Sequence, residues 1–340
     1  MKRILSLLAA LALLLSGCGT AKAPTLRVGV ALYDQNDTFI STVTRQLQQR
    51  FQEEELLRDI KINLSLADGQ GSQTVQNEQV DRFLDQGYDI ICVNIVDRTA
   101  AAVIVDKAQA ADVPVIFFNR EPVEEDLRRW ERAYYVGAYA EQGGRLQGQL
   151  VLNAWREDAS VLDRSGDGVL QYVVLEGEAG HQDTLLRTEY SIQTLTAGGM
   201  EIEKLASATA NWQRSQASAR MNQWLQQYGG AMEVVFANND DMALGAIDAC
   251  LSAGLTAEEM PYIVGVDATE PALEAVKEGT LKGTVCNDAA GQAESIVALS
   301  CALLDGEDPE KAVELENGKY VWLPYASVTA ENLADYLKTE

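Results

Sequence analysis

The chain has one histidine, His181, in 340 residues, and 27 lysines and arginines against 51 aspartates and glutamates. A formal charge of −24 excludes nucleic acid as a partner, because a phosphate backbone is recognised by positive charge. No helical DNA-binding module precedes the first strand pattern, which also excludes a repressor. Cysteine is sparse, at five, and the spacings show neither a disulfide framework nor a metal pattern. Long apolar runs are absent beyond Ile4–Leu15, so nothing later in the sequence is fit to cross a bilayer. There is no low-complexity segment and no short tandem repeat, which leaves ordinary globular domains.

What is present begins with Met1-Lys-Arg, the apolar run, and Ser16-Gly17-Cys18. A basic start, about a dozen apolar residues and small residues before a cleavage point make an export signal over 1–17. Leu15-Ser16-Gly17-Cys18 resembles a bacterial lipobox, in which Cys18 becomes the lipidated first residue and 18–24 a tether. The expected location is the outer face of the cell membrane, or the periplasm if an ordinary signal is cut nearby. Lys2 and Arg3 leave with the signal, so 25 basic and 51 acidic residues remain, a charge of −26. The remaining thiols, Cys92, Cys250, Cys286 and Cys301, read as buried and free, with a disulfide left open by the oxidising compartment.

About 320 residues then suggest two domains. Apolar strand patterns at 26–32, 60–67, 90–96 and 115–118 alternate with helical patterns at 38–51, 74–86 and 99–111. A second series has strands near 134–136, 172–175, 201–206, 234–237 and 263–266. Helices near 141–156, 184–197, 213–228, 241–253 and 271–277 separate them. Continuously apolar strands alternating with helices predict α/β architecture: two Rossmann-like lobes, each a parallel sheet covered on both faces.

Polar and aromatic residues follow these strands with regularity. Asp37-Thr-Phe39 follows the first strand, Asn94 the third and Asn119-Arg120-Glu121 the fourth. In the second series come His181, Asp183 and Arg187, then Trp212, Asn238-Asn239-Asp240, Asp267 and Asn287-Asp288. Parallel strands put these ends on one rim of each lobe, where open sheets bind ligands. Each residue also has a plain local role: Asp37, Asp183 and Asp240 suit helix caps, the asparagines suit turns, and Phe39 and Trp212 suit a core. Together, planar carboxylates and amides, one arginine, one histidine and two aromatics match a small polar ligand held between lobes. Each sugar hydroxyl donates and accepts, and pyranose C–H faces suit aromatic rings. Arg187 and Asp267 also leave an amino acid open.

The chain resembles the bacterial periplasmic glucose/galactose-binding proteins of ABC importers. The likeness runs from about Leu26 to Leu337. It is carried by Tyr33…Asp37-Thr-Phe39, Val93-Asn94-Ile-Val-Asp97, Val115-Ile-Phe-Phe-Asn119-Arg-Glu-Pro122, Ala133-Tyr-Tyr-Val-Gly137, Gly177-Glu-Ala-Gly-His181-Gln-Asp183…Arg187, Asn211-Trp212, Val234-Val-Phe-Ala-Asn238-Asn239-Asp240, Gly265-Val-Asp267, Gly283-Thr-Val-Cys-Asn287-Asp288 and Pro324-Tyr325. It implies the type I periplasmic binding protein fold, with Phe39 and Trp212 sandwiching a pyranose. Asp37, Asn94, His181, Asp183, Arg187, Asn239, Asp267 and Asn287 become its hydroxyl and ring-oxygen partners. Ala179 and Gln182 depart from the family, which usually has proline at both positions. The expected ligand is D-glucose and/or D-galactose, and the expected partner an ABC permease. The alternatives are a chemoreceptor or sensor kinase as the partner, and another monosaccharide as the ligand. A monomer without enzymatic activity is expected. A glycosidase carboxylate pair, Asp37 and Asp183, is the weaker alternative.

The resemblance also implies three crossings between lobes, near 119–121, 286–288 and 323–324. The first lobe is then 25–120 plus 288–322, and the second 121–287 plus 325–340. A second motif, Asp163-Arg-Ser165-Gly-Asp167-Gly168-Val169-Leu-Gln171, has oxygen side chains at loop positions 1, 3, 5 and 9, a glycine at 6 and the Val169 carbonyl at 7. Position 12 is Val174, which cannot ligate through its side chain. The family supplies the missing carboxylate from a remote residue, matched by Glu233. A structural Ca²⁺ is expected there, with a plain surface turn as the alternative.

Overall fold

The computed structural model describes residues 25–337. The export signal, Cys18 and the tether lie outside the described residues. The first lobe opens with β1 (Thr25–Leu32), α1 (Thr38–Arg58), β2 (Lys61–Asp68), α2 (Gln73–Asp85), β3 (Ile90–Val93), α3 (Ala101–Ala111) and β4 (Val115–Phe118). A four-residue helix, α4 (Glu124–Leu127), leads to β5 (Ala133–Gly137). The second lobe holds α5 (Ala140–Glu157), β6 (Val169–Glu176), α6 (Gln182–Ala197), β7 (Glu201–Thr209), α7 (Arg214–Tyr228), β8 (Val234–Ala237) and α8 (Asp240–Ser252). It continues with β9 (Tyr262–Val264), α9 (Glu270–Lys277) and β10 (Thr284–Cys286). Then come α10 (Ala289–Asp305), β11 (Tyr320–Trp322) and β12 (Ala326–Val328).

The first sheet has the order β11-β5-β4-β3-β1-β2, and every pairing is parallel. The second has the order β7-β6-β8-β9, also parallel. The antiparallel pair β10–β12 continues it through bridges Val264–Gly283 and Asp267–Cys286. β3, β4 and β8 are buried at every residue, as strands covered on both faces must be. Their side chains divide each lobe's core into two layers, one on each face of the sheet.

The structure corrects the expected first boundary. Ala133–Gly137 is not a strand of the second lobe: it pairs with β4 from Val115–Ala133 onward and with β11 on its other side. Tyr135 packs edge-on against Tyr320 and Trp322 of β11. An apolar run announces a strand but not which sheet receives it, and residues 121–137 therefore belong with the first sheet. The chain crosses between sheets after Gly137, again between β10 and α10, and again between β11 and β12. α1 also runs past the expected end at Phe51. Strong helix formers carry it to Arg58, where left-handed Asp59 stops it. Cys92, Cys250, Cys286 and Cys301 are free, and burial pushes the first three thiols up to about 12. No helix among the described residues is long and apolar enough to cross a membrane.

Candidate functional site

The loops after the strands of both sheets meet in one cleft. From the first lobe, Asp37 caps α1: its Oδ1 accepts the Ile40 N–H at 2.8 Å and its Oδ2 the Tyr33 hydroxyl at 2.5 Å. Burial raises the Asp37 carboxyl above its ordinary range. Phe39, one residue into the helix, turns its ring to the cleft. After β4, Asn119 sits in the left-handed region with φ 61°. Arg120 then lays its guanidinium 3.5 Å over the Tyr33 ring.

From the second lobe, α6 begins at His181, whose Nδ1 accepts the Asp183 N–H at 3.1 Å. The neutral ring therefore carries its proton on Nε2, free to donate into the cleft. Burial pushes this imidazole down to about 4. One turn on, Arg187 Nη2 donates to Asp183 at 2.9 Å and to the Tyr325 hydroxyl at 3.0 Å, and Nη1 donates to the Asn238 carbonyl at 2.8 Å. Asp267 lies 3.9 Å from Arg187. Burial works against the Arg187 charge, yet Tyr325, Asp183 and Asp267 hold it protonated. The Asp267 carboxyl is raised well above its usual range, by burial first, with Arg187 opposing. Asn239 caps α8 through Met242 N–H at 3.0 Å and donates to the Trp212 carbonyl at 3.3 Å.

Trp212 is held by unusual backbone. Asn211 and Trp212 have φ of 51° and 64°, and the indole lies across Gly177, where a Cβ would fall 2.2 Å from the ring. His181 meets it edge-on at 5.2 Å. Left-handed backbone at a tryptophan is strained, and such strain concentrates at binding sites. Trp212→Ala is expected to weaken ligand binding by at least about 1.5 kcal/mol and, because the indole also packs in the second lobe's core, to lower the unliganded melting temperature as well. Calorimetry beside a melting curve checks this, and unchanged affinity with a lowered melting temperature would mean that Trp212 serves the core alone.

These side chains line one small cavity between the lobes. Asp37, Phe39, His181, Asp183, Arg187, Trp212, Asn239 and Asp267 line it, as the sequence suggested. Asn94 and Asn287 do not. The Asn94 amide is fully buried and donates to the Phe118 carbonyl and to Asn119 Oδ1, both at 3.1 Å. Asn287 donates to Asp267 at 3.3 Å and accepts from Gln292 at 2.8 Å. Both asparagines hold the lining in place instead of forming it. Tyr33, Asn119 and Arg120 line the cavity and were missing from the expected contacts, although each directly follows a buried strand.

Three polar contacts join the lobes around the cavity. Arg120 donates twice to Glu178, at 3.0 and 3.1 Å. Gln182 donates to Glu121 at 2.7 Å, and Thr38 to Asp241 at 2.6 Å.

The family described as periplasmic binding protein domain matches residues 28–308. The chain is 36% identical over 331 residues to the D-galactose/methyl-galactoside binding periplasmic protein of Haemophilus influenzae, covering 97% of each. The chain belongs to the periplasmic binding protein family. As a family member it is an extracytoplasmic binding component, not an enzyme. A putative rhizopine-binding protein of Rhizobium meliloti is 33% identical over 276 residues, 81% of this chain and 82% of that one. An ABC transporter solute binding protein from Bacillus halodurans, solved with bound myo-inositol, is 30% identical. It superposes with a TM-score of 0.75 over 93% of this chain and 99% of that one.

The binding protein's second motif folds as a tight loop away from the cleft. Asp163 Oδ1 accepts the Gly166 N–H at 2.6 Å and Oδ2 the Gly168 N–H at 2.9 Å. Glu233, 1% exposed, accepts the N–H groups of Arg164, Ser165 and Gln171 at 2.7, 3.2 and 3.0 Å. Gln171 Nε2 reaches Asp167 at 3.1 Å. Asp163, Ser165, Asp167, Gln171, Glu233 and the Val169 backbone are thus brought together. With these carboxylates turned to backbone N–H groups, no cluster of three or more His, Cys, Asp or Glu is poised to hold a metal among the described residues. The Gln171 Oε1 atom is nevertheless buried without a partner. An all-oxygen set containing an orphaned acceptor has the chemistry that a hard cation requires, so the residues fit Ca²⁺.

The depressed His181 pKa has a measurable consequence. As pH falls from about 6.5 to about 4, the unfolded chain takes up this proton first and folding stability is lost. The raised Asp37 and Asp267 act in the opposite direction, but equally in a His181→Asn variant. Wild type should therefore lose more stability than this variant across that window, by up to about 3 kcal/mol, in denaturant titrations at stepped pH. Parallel pH profiles would show that His181 is open to solvent in the folded protein.

Proposed function

We propose that this protein captures D-galactose and/or D-glucose outside the cytoplasmic membrane and delivers it to the permease of an ABC importer. The observation that carries the reading is the small cavity between Phe39 and Trp212, ringed by Asp37, Asp183, Arg187, Asn239 and Asp267. Planar carboxylates and a guanidinium bind adjacent hydroxyls in pairs, and the two aromatic faces suit the C–H faces of a pyranose. The D-galactose name of the Haemophilus relative supports the choice of sugar. Another hydroxyl-rich ring is the second reading, favoured by the myo-inositol bound in the Bacillus halodurans protein. Titration calorimetry against galactose, glucose, ribose, xylose and myo-inositol decides between them, and preferential myo-inositol binding would replace the hexose reading. Presentation of the bound sugar to a chemoreceptor or sensor kinase is the alternative use of the same capture.

Capture is proposed to close a hinge at the three crossings, because ligand contacts from both lobes favour the closed form. Sugar should compact the protein in small-angle scattering and shift Trp212 emission; identical profiles with and without sugar would rule out hinge motion. Lipidation at Cys18 anchors the protein in this reading. Incorporation of labelled fatty acid in cells, lost in Cys18→Ala, is the expected result. Ca²⁺ is proposed to sit among Asp163, Ser165, Asp167, the Val169 carbonyl, Gln171 and Glu233, where it serves stability.

A further inference from the structure

We infer that Glu178 is a positioning residue for sugar capture, one that slows release without touching the ligand. From the second lobe it clamps Arg120 against Tyr33, and through Tyr33 it holds Asp37 in its binding orientation. This rests on the hexose and hinge readings above. Among the described residues, Arg120–Glu178 is the one ion pair that joins the two lobes. Arg120 is 4% exposed, and its other partners belong to the first lobe. Its guanidinium lies 3.5 Å over the Tyr33 ring, and its Nη1 donates to the Val96 carbonyl at 3.1 Å. Toward Glu178 the fork is fully engaged, Nη1 on one oxygen at 3.0 Å and Nη2 on the other at 3.1 Å. Two parallel bonds of this kind fix direction as well as distance.

The pair reaches the ligand through one intermediary. The Tyr33 hydroxyl donates to Asp37 at 2.5 Å, and Tyr33, Asp37 and Arg120 all line the ligand cavity. Glu178 does not line it. Closure of the lobes is thereby coupled to the orientation of a carboxylate that binds the sugar. Opening the cleft must part Arg120 from Glu178, while Tyr33 and Asp37 stay with Arg120 on the first lobe. In the open form both charges regain water, so the pair stabilises the closed form only. Its loss then appears in release and not in capture. Burial works against the Arg120 charge, and Glu178 is the strongest of the groups that restore it. The loop carrying Glu178 has glycines at 177 and 180 and no proline, so its backbone alone does not fix the side chain. The Glu178 side chain is 36% exposed, and solvent moderates the strength of the pair.

Stopped-flow tryptophan emission and small-angle scattering with galactose test this on the whole protein, on Glu178→Ala, on Arg120→Met and on the double variant. Glu178→Ala keeps the residue 178 carbonyl, which accepts the His181 N–H at 3.2 Å, so the turn that presents His181 is undisturbed. It should raise the release rate about tenfold, leave the association rate within about twofold and leave the unliganded melting temperature unchanged. In the Arg120→Met background the same substitution should change release by less than about twofold, because its partner is gone. Galactose is uncharged, so added salt should speed release from wild type more than from Glu178→Ala. Wild type that binds no galactose, or does not compact with it, overturns the reading beneath the clamp and the clamp with it. Compaction of wild type with an unchanged release rate in Glu178→Ala overturns the clamp alone. So does an equal effect of Glu178→Ala with and without Arg120. A fall in unliganded melting temperature that matches the loss of affinity also overturns it, since Glu178 would then serve the fold.

Discussion

Asp183→Ala is expected to weaken hexose binding by about 3 kcal/mol, more than a hundredfold. Its Oδ2 accepts from Arg187 at 2.9 Å, and both side chains are almost entirely buried, at 14% and 4% exposure. With Asp183 gone, a guanidinium in a closed site loses its nearest counter-charge, and the hydroxyls of the ligand lose an acceptor that no water can replace. Breaking one half of such a pair costs more than the pair contributes, because the remaining charge stays buried. Arg187 keeps the Tyr325 hydroxyl and the Asn238 carbonyl, so the unliganded fold should lose far less than the complex. Calorimetry paired with denaturant unfolding separates the two effects. Equal losses in binding and in folding would mean that Asp183 serves the scaffold alone. Asp183→Asn keeps the shape and one acceptor, and should fall between alanine and wild type.

The rim of strand ends was legible because a parallel sheet leaves little freedom. Once β1, β6 and β8 are read as buried strands, Asp37, His181 and Asn239 must emerge on the ligand side. Which neighbouring side chain turns inward was not legible. Asn94 and Asn119 both follow buried strands, and only Asn119 lines the cavity. The backbone decides this: Asn119 is left-handed at φ 61°, a conformation that asparagine tolerates but does not announce. Arg120 stood on the rim in the sequence, but its role there was not legible for another reason. Its partners, Tyr33 beneath it and Glu178 opposite, lie on other segments, and Glu178 is on the other lobe. A cation read from a loop says nothing about a stack assembled by two lobes. Sheet membership failed in the same way at Ala133–Gly137, whose alternation with helices looks alike whichever sheet it joins. Pairing with β4, from Val115–Ala133 to Phe118–Val136, settles it.

Chelation with EGTA should lower thermal stability while leaving most sugar affinity intact, because the loop from Asp163 to Gln171 lies outside the cleft. Glu233→Gln should reproduce much of this, by about 2–3 kcal/mol. Glu233 is buried, and its two oxygens gather three backbone N–H groups from the loop and from β6. An amide offers one acceptor where the carboxylate offers two, and its NH₂ would face N–H groups that are themselves donors. The same substitution removes the anion proposed to answer the cation, so EGTA should add little to the loss in Glu233→Gln. Non-additivity of this kind is the signature of one shared centre. Ca²⁺ should restore the melting temperature after EGTA and Mg²⁺ should not, since the smaller ion demands octahedral geometry and gives up its waters reluctantly. If EGTA and added Ca²⁺ both leave wild type unmoved while Glu233→Gln still destabilises, the carboxylate alone organises the loop through its backbone hydrogen bonds.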